Sequence, residues 1–237
     1  MSLATKLIEL GFKTLAEYQA FHKLLPTGDL DPVTERSIEL PRFCALPDKM
    51  ELGGQILRWG KKSLRYGFSG KLPGIEIEDM RRAFQIAFDR WSAVCDIQAS
   101  HIGDSGVAAD IIIGTGAIDG PSKTLAWSEL PNGSDQPLNQ KYDNGEPWVI
   151  ADSVPAYRID LIRVACHELG HAIGISHIGP GNLMAPTYSS TINKPQSGDI
   201  QEAIARYGPP RVQPSEPDPT DDETMVLISI PRRWVKL

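Results

Sequence analysis

Apolar residues near the start of the chain recur at helical spacing. Leu15, Tyr18, Phe21 and Leu24-Leu25 lie on one stripe and predict a helix over Thr14–Leu25. Pro26-Thr27-Gly28 breaks it, and Asp31-Pro32 reads as an N-cap followed by proline at the first helical position. The second helix ends before Pro41, and Met1 to Lys6 leads straight into another amphipathic segment, so residues 1–50 form a small helical unit. Residues 51–210 read differently. Leu64–Phe68 is strand-like, and Glu76–Val94 is an amphipathic helix with Met80, Phe84, Ala87-Phe88, Trp91 and Val94 facing a core. Ile97–Ile102 and Ala109–Ile113 are strands, the second an apolar run suited to a buried position. Leu125–Trp127 and Trp148–Ile150 are shorter strands, and helices run over about Asp160–Ile173 and Gly198–Tyr207. This mixture is an α+β domain. Residues 211–237 begin as a Pro-, Asp- and Glu-rich linker of disordered composition and end in a tail, Met225–Leu237, long enough for one strand.

Composition narrows the function classes. The 237 residues are 41% hydrophobic and 23% charged, a globular composition, and no apolar run approaches the roughly 18 residues that span a bilayer. A formal charge of −6 argues against nucleic acid as a partner, because phosphate binding requires a basic surface. No secretory leader is legible at the start. Cys44, Cys95 and Cys166 are odd in number and fit no zinc ribbon, so at least one thiol has no intrachain disulfide partner. Cys95 and Cys166 read as small buried hydrophobes, His101 as a strand residue and His22 as a helix-surface residue.

The chemistry is concentrated in Cys166-His167-Glu168-Leu169-Gly170-His171-Ala172-Ile173-Gly174-Ile175-Ser176-His177. His167 and His171, four apart on a helix, share a face and can hold one zinc ion, with Glu168 within reach of a water at that ion. Gly174 can adopt positive φ, end the helix and turn the chain so that His177 approaches the same point. Three imidazoles with a fourth position open is the coordination of a catalytic zinc, and H-E-x-x-H-x-x-G-x-x-H is the metzincin signature. Asn182–Pro186 follows as a candidate Met-turn centred on Met184.

From about residue 8 to 208 the sequence resembles a matrix metalloproteinase, or matrixin, with its propeptide. The landmarks are Trp59–Tyr66, Arg82-Ala83-Phe84 with Trp91-Ser92, Ala109-Asp110-Ile111, Asp119-Gly120-Pro121 and Leu125-Ala126. Leu183-Met184-Ala185-Pro186-Thr187-Tyr188 resembles the family's L-M-Y-P-x-Y, and Asp199–Gly208 its closing helix. Residues 8–40 resemble the peptidoglycan-binding-like fold of matrixin propeptides, including the turn at Pro26–Asp31. The resemblance implies a metzincin catalytic domain, with a mixed twisted sheet and three helices, behind a helical prodomain.

It also implies roles for residues. The latency motif P-R-C-G-x-P-D appears as Pro41-Arg42-Phe43-Cys44-Ala45-Leu46-Pro47-Asp48, with Phe43 inserted and alanine for glycine. Cys44 is then the fourth zinc ligand of a latent enzyme, a thiolate in place of water; the alternative is an ordinary linker cysteine. Leu125-Ala126 pairs with an extended substrate, Pro186 and Tyr188 wall the pocket for the residue after the cut, and Arg163, four before His167, limits its depth and favours small or medium apolar residues. The alternative is an Arg163 turned to solvent over a deep pocket. Asp119, Asp143 and Glu146 match three carboxylates of a calcium site, or else form a solvated acidic loop. The family's second, structural zinc cannot be built, because Trp127 and Lys141 stand where histidines belong. The expectation is a secreted zinc endopeptidase zymogen acting on protein or peptide, with one zinc and its own prodomain as inhibitor. The rival is a cell-wall glycan binding protein with a secondary or inactive zinc domain.

Overall fold

The computed structural model describes residues 2–40, 42–50, 55–104, 108–151, 153–155 and 157–211. Pro41, the first residue of the expected latency motif, and the expected linker and tail from residue 212 onward lie outside the described residues. The N-terminal unit contains α1 (Leu3–Glu9), α2 (Leu15–Phe21) and α3 (Pro32–Glu39). Asp31 caps α3, its carboxylate accepting from Val33 and Thr34 N–H, with Pro32 at the first position. Leu7, Leu10, Phe12, Leu15, Tyr18 and Ile38 form a small core of their own. Helix α2 stops four residues before the predicted Leu25, because Lys23 turns to a φ of 56° and Leu24 N–H bonds back to Gln19 O. His22 corrects its surface reading: it caps α2, is buried, and places Nε2 2.9 Å from Asp48 Oδ2.

The following domain is α+β, as expected. Its elements are β1 (Ser63–Phe68), α4 (Ile77–Ser92), β2 (Gln98–His101), β3 (Ile111–Gly116), β4 (Ala126–Ser128), β5 (Leu138–Asp143), β6 (Trp148–Val149), β7 (Ile159–Asp160), α5 (Leu161–Ala172) and α6 (Ser197–Tyr207). The main sheet has the order β2-β1-β3-β5-β4; β4 is antiparallel to β5 and the other pairings are parallel. Strand β4 is therefore an edge, with one row of main-chain groups turned away from the sheet. Strand β5 was not foreseen: Asn139, Gln140 and Lys141 interrupt its apolar pattern, and Gln140 is buried because it donates to Glu168 O and Ser128 Oγ.

Helix α4 buries Met80, Phe84, Ala87, Phe88 and Trp91 of the predicted stripe together with Ala83, while Val94 lies past its end at Ser92 and is partly buried. It packs on α5, and Trp91 Nε1 donates to Cys166 O at 2.8 Å. Cys166 itself turns toward Ala87 O, away from the histidines. Gly170 lies where α5 meets the Met-turn: a Cβ there would come within 2.2 Å of Met184 Sδ and 2.8 Å of Trp91. Gly170→Ala is therefore expected to overpack the interface at a cost on the order of 1–3 kcal/mol. A lowered denaturation midpoint checks this; a wild-type midpoint contradicts it.

Candidate metal centre

Helix α5 carries His167 and His171 on one face, and both are fully buried. The helix ends at Ala172 with Ile173 as its cap, and Gly174 follows with a φ of 92° that admits the turn; a Cβ there would also meet Leu57 O at 2.0 Å. The turn brings His177 back, so that His171 Nε2 lies 3.1 Å from His167 Nε2 and 3.3 Å from His177 Nε2. Cys44 Sγ arrives from the N-terminal segment and lies 3.3 Å from the Nε2 atoms of both His171 and His177. Among the described residues, this is the one group of three or more such side chains with ligand atoms all within 4.8 Å of one another.

The protonation pattern follows from the outer hydrogen bonds. His167 Nδ1 is 2.9 Å from Leu183 O, His171 Nδ1 2.7 Å from Ile175 O, and His177 Nδ1 2.8 Å from Pro47 O. A carbonyl only accepts, so each Nδ1 carries the proton and each Nε2 offers a lone pair. Burial holds His167 and His171 well below the usual imidazole range and pushes His177 down to about 4. Three neutral imidazoles thus aim lone pairs at one point, with no proton available to separate them. Tetrahedral zinc with Zn–N bonds of about 2.0–2.1 Å separates nitrogen ligands by about 3.3 Å, so the donor set and its spacing fit zinc. Burial raises the Cys44 thiol well above its ordinary value and the charge of Glu168 adds to this; a cation at the centre reverses that balance, since zinc deprotonates a coordinating thiol.

Glu168 faces the same space. Both of its carboxylate oxygens are buried with no hydrogen-bond partner among the described residues, and burial raises its pKa well above the usual range. Behind the histidines, buried Asp199 accepts from Leu183 N–H at 2.7 Å and Met184 N–H at 3.0 Å. It thereby fixes the turn whose Leu183 carbonyl orients His167. Sequence reasoning placed Asp199 only at the start of a helix; its buried carboxylate beside the Met-turn was not read.

The matrixin family (Peptidase_M10) matches residues 58–208. The chain belongs to the matrixin family. Among similar proteins, matrix metalloproteinase-20 of Homo sapiens is 32% identical over 215 residues, which are 84% of this chain and 43% of that protein. Interstitial collagenase of Sus scrofa is 34% identical over 217 residues, 86% of this chain and 45% of that protein. Matrix metalloproteinase-C of Caenorhabditis elegans is 28% identical over 217 residues, 82% of this chain and 36% of that protein. The chain spans less than half the length of these relatives.

Met184 is buried and packs against Gly170 of α5. Other residues to which the resemblance points lie either against Phe43 or in an acidic loop region. Leu125 and Ala126 N–H both donate to Phe43 O, and Phe43 N–H donates to Pro186 O. Tyr188 lies over the Arg163 guanidinium, 5.6 Å from carbon to ring centroid. Arg163 is buried, donates to Ser189 O and lies 3.5 Å from Asp160, so it is not turned to solvent. Asp119, Asp143 and Glu146 share one loop region but do not gather as closely as the histidines. Asp143 accepts from Ile118, Asp119 and Gly145 N–H, Asp119 from Thr124 N–H, and Glu146 Oε1 from Ser122 N–H. Burial, then the charges of Asp143 and Asp119, raise the Glu146 pKa, and its Oε2 is buried without a partner among the described residues.

The histidine inventory limits the metal count. His22 is bound to Asp48, and His101 lies in β2 3.2 Å from Asp104. We expect one tightly bound zinc per chain by elemental analysis; two would contradict this assignment.

Proposed function

We propose that the chain is a zinc-dependent endopeptidase held latent by its own N-terminal segment. The observation that carries this reading is the convergence of Cys44 Sγ with three imidazole Nε2 atoms beside an unpartnered buried glutamate. Zinc, when bound by His167, His171 and His177, supplies a Lewis acid that makes water nucleophilic near neutral pH. Glu168 takes the proton of the attacking water and passes it to the departing amine. Leu125 and Ala126 N–H on one side and Pro186 O on the other are rails for an extended peptide, a β-augmentation mode. Pro186 and Tyr188 wall the pocket after the cut, and Arg163 closes its floor. In the latent chain residues 42–44 take the rails and Cys44 takes the fourth ligand position, so substrate is excluded from both.

Docking of the N-terminal unit on the cleft favours an inhibitory role for it over recognition of cell-wall glycan, even with the peptidoglycan-binding-like pattern of residues 8–40. Asp48 braces the segment from within the N-terminal unit: it accepts from Arg42, 3.1 Å away, and contacts His22. Calcium would sit at Asp119, Asp143 and Glu146, where the spare Glu146 oxygen lacks a partner among the described residues. A location outside the cell belongs to the same reading, in line with relatives named for matrix and interstitium.

A peptide-library assay on the full chain and on Cys44→Ala tests the proposal: cleavage by the variant is expected, and no cleavage by either counts against it. The same assay probes the floor of the pocket. Arg163→Leu should shift cleavage toward longer side chains after the cut, a graded change because a methylene of misfit is worth about 1–3 kcal/mol. An unchanged profile would remove Arg163 from the pocket.

A further inference from the structure

Phe43 is the residue by which this chain departs from the latency motif, standing between Arg42 and Cys44. Although it belongs to the N-terminal segment, it is 1% exposed and buried in the core cluster of the catalytic domain. Its ring stacks on the His167 imidazole at 4.3 Å between centroids and 13° between planes. The Tyr188 ring lies 5.1 Å away at 60°. Its main chain is held from both sides, N–H to Pro186 O at 2.9 Å and C=O from Leu125 N–H at 3.1 Å and Ala126 N–H at 3.0 Å. One residue thus engages both rails of the cleft and the wall of its pocket, the contacts of a bound ligand.

We propose that Phe43 is a built-in ligand of the specificity pocket, and that this pocket is a subsite for a single aromatic ring. The identity of the pocket rests on the peptidase reading above. His167 commits Nδ1 to Leu183 O and directs Nε2 at the metal centre, so its ring face is the surface left to offer. An aromatic ring is the natural complement of such a face. Tyr188 gives the second wall and is itself backed by the Arg163 guanidinium, so the space ends there. Arg163 then limits the length of the side chain, not its aromaticity: one phenyl ring fits, and a longer arylalkyl group does not. The preference for small residues, expected from the length of Arg163 alone, gives way to a preference for one ring. Phe43 also makes the latent state two-pointed. The thiol holds the metal and the ring holds the pocket, so losing the thiol alone leaves the segment partly seated.

Amide hydrogen exchange of residues 42–46 in the full-length, zinc-loaded chain reads the anchoring without recourse to activity. Cys44→Ser should keep slow exchange at the Phe43 amide. Adding Phe43→Ala should speed it at least tenfold, and adding Phe43→Leu, which keeps apolar bulk and protects folding, should speed it less. Exchange in Cys44→Ser that either Phe43 substitution leaves unchanged overturns Phe43 as an anchor. Peptide profiling of the full-length Cys44→Ser/Phe43→Leu chain reads the subsite. Phe and Tyr should be enriched after the cut over Ala and over 4-phenylphenylalanine, and a profile without aromatic enrichment overturns the assignment. Absence of any cleavage would overturn the peptidase reading and the subsite with it, while exchange still decides whether Phe43 is the anchor.

Discussion

Replacing Glu168 with alanine in a Cys44→Ala background is expected to lower kcat/KM by on the order of 10²–10⁴, the span that a positioned acid–base group contributes. That corresponds to about 3–5 kcal/mol of transition-state stabilisation. The position of Glu168 makes the prediction specific. It is buried on α5 between the two helical histidines, its oxygens have no partner among the described residues, and it is not needed to complete the ligand set. A buried, unpaired carboxyl costs roughly 1–3 kcal/mol, so its presence is better explained by chemistry than by packing. The variant should keep its zinc and its fold. Cleavage at the parent rate would refute the role, and loss of zinc would show that Glu168 acts on the metal site instead.

Cys44→Ala should raise the activity of the intact chain by on the order of 10- to 100-fold, as loss of about 1.4–2.8 kcal/mol of anchoring would give. In the proposed latent state the thiol takes the position that water needs, and its removal opens that position. Activation is not expected to be complete, because other contacts still tether the segment to the domain: Phe43 stays on the rails, Arg42 pairs with Thr187, and His177 Nδ1 donates to Pro47 O. Equal activity of wild type and variant from the first minute of assay would remove Cys44 from the latency device.

The metal centre was legible because its chemistry is local. Helical periodicity puts His167 and His171 on one face, and a glycine that can take positive φ supplies the turn to His177, so twelve consecutive residues carry most of the site. The stripe on α4 and the cap at Asp31 were legible for the same reason. Elements that depend on distant partners were not. Strand β5 hides behind polar residues because the partners that satisfy Gln140, Glu168 O and Ser128, come from other elements. His22 looked like a surface residue because Asp48, which makes its burial tolerable, is 26 residues away. Asp199 and Phe43 were read as a helix start and an insertion, since nothing within one segment tells that a carboxylate will tie down the Met-turn or that a ring will reach His167.

The central claim, a zinc centre closed by the thiol of the chain's own N-terminal segment, is tested most directly by X-ray absorption at the zinc edge of the full-length chain. The account predicts three nitrogen scatterers at about 2.0–2.1 Å and one sulfur at about 2.3 Å, with the sulfur lost in Cys44→Ala. A wild-type shell of nitrogen and oxygen alone would contradict it.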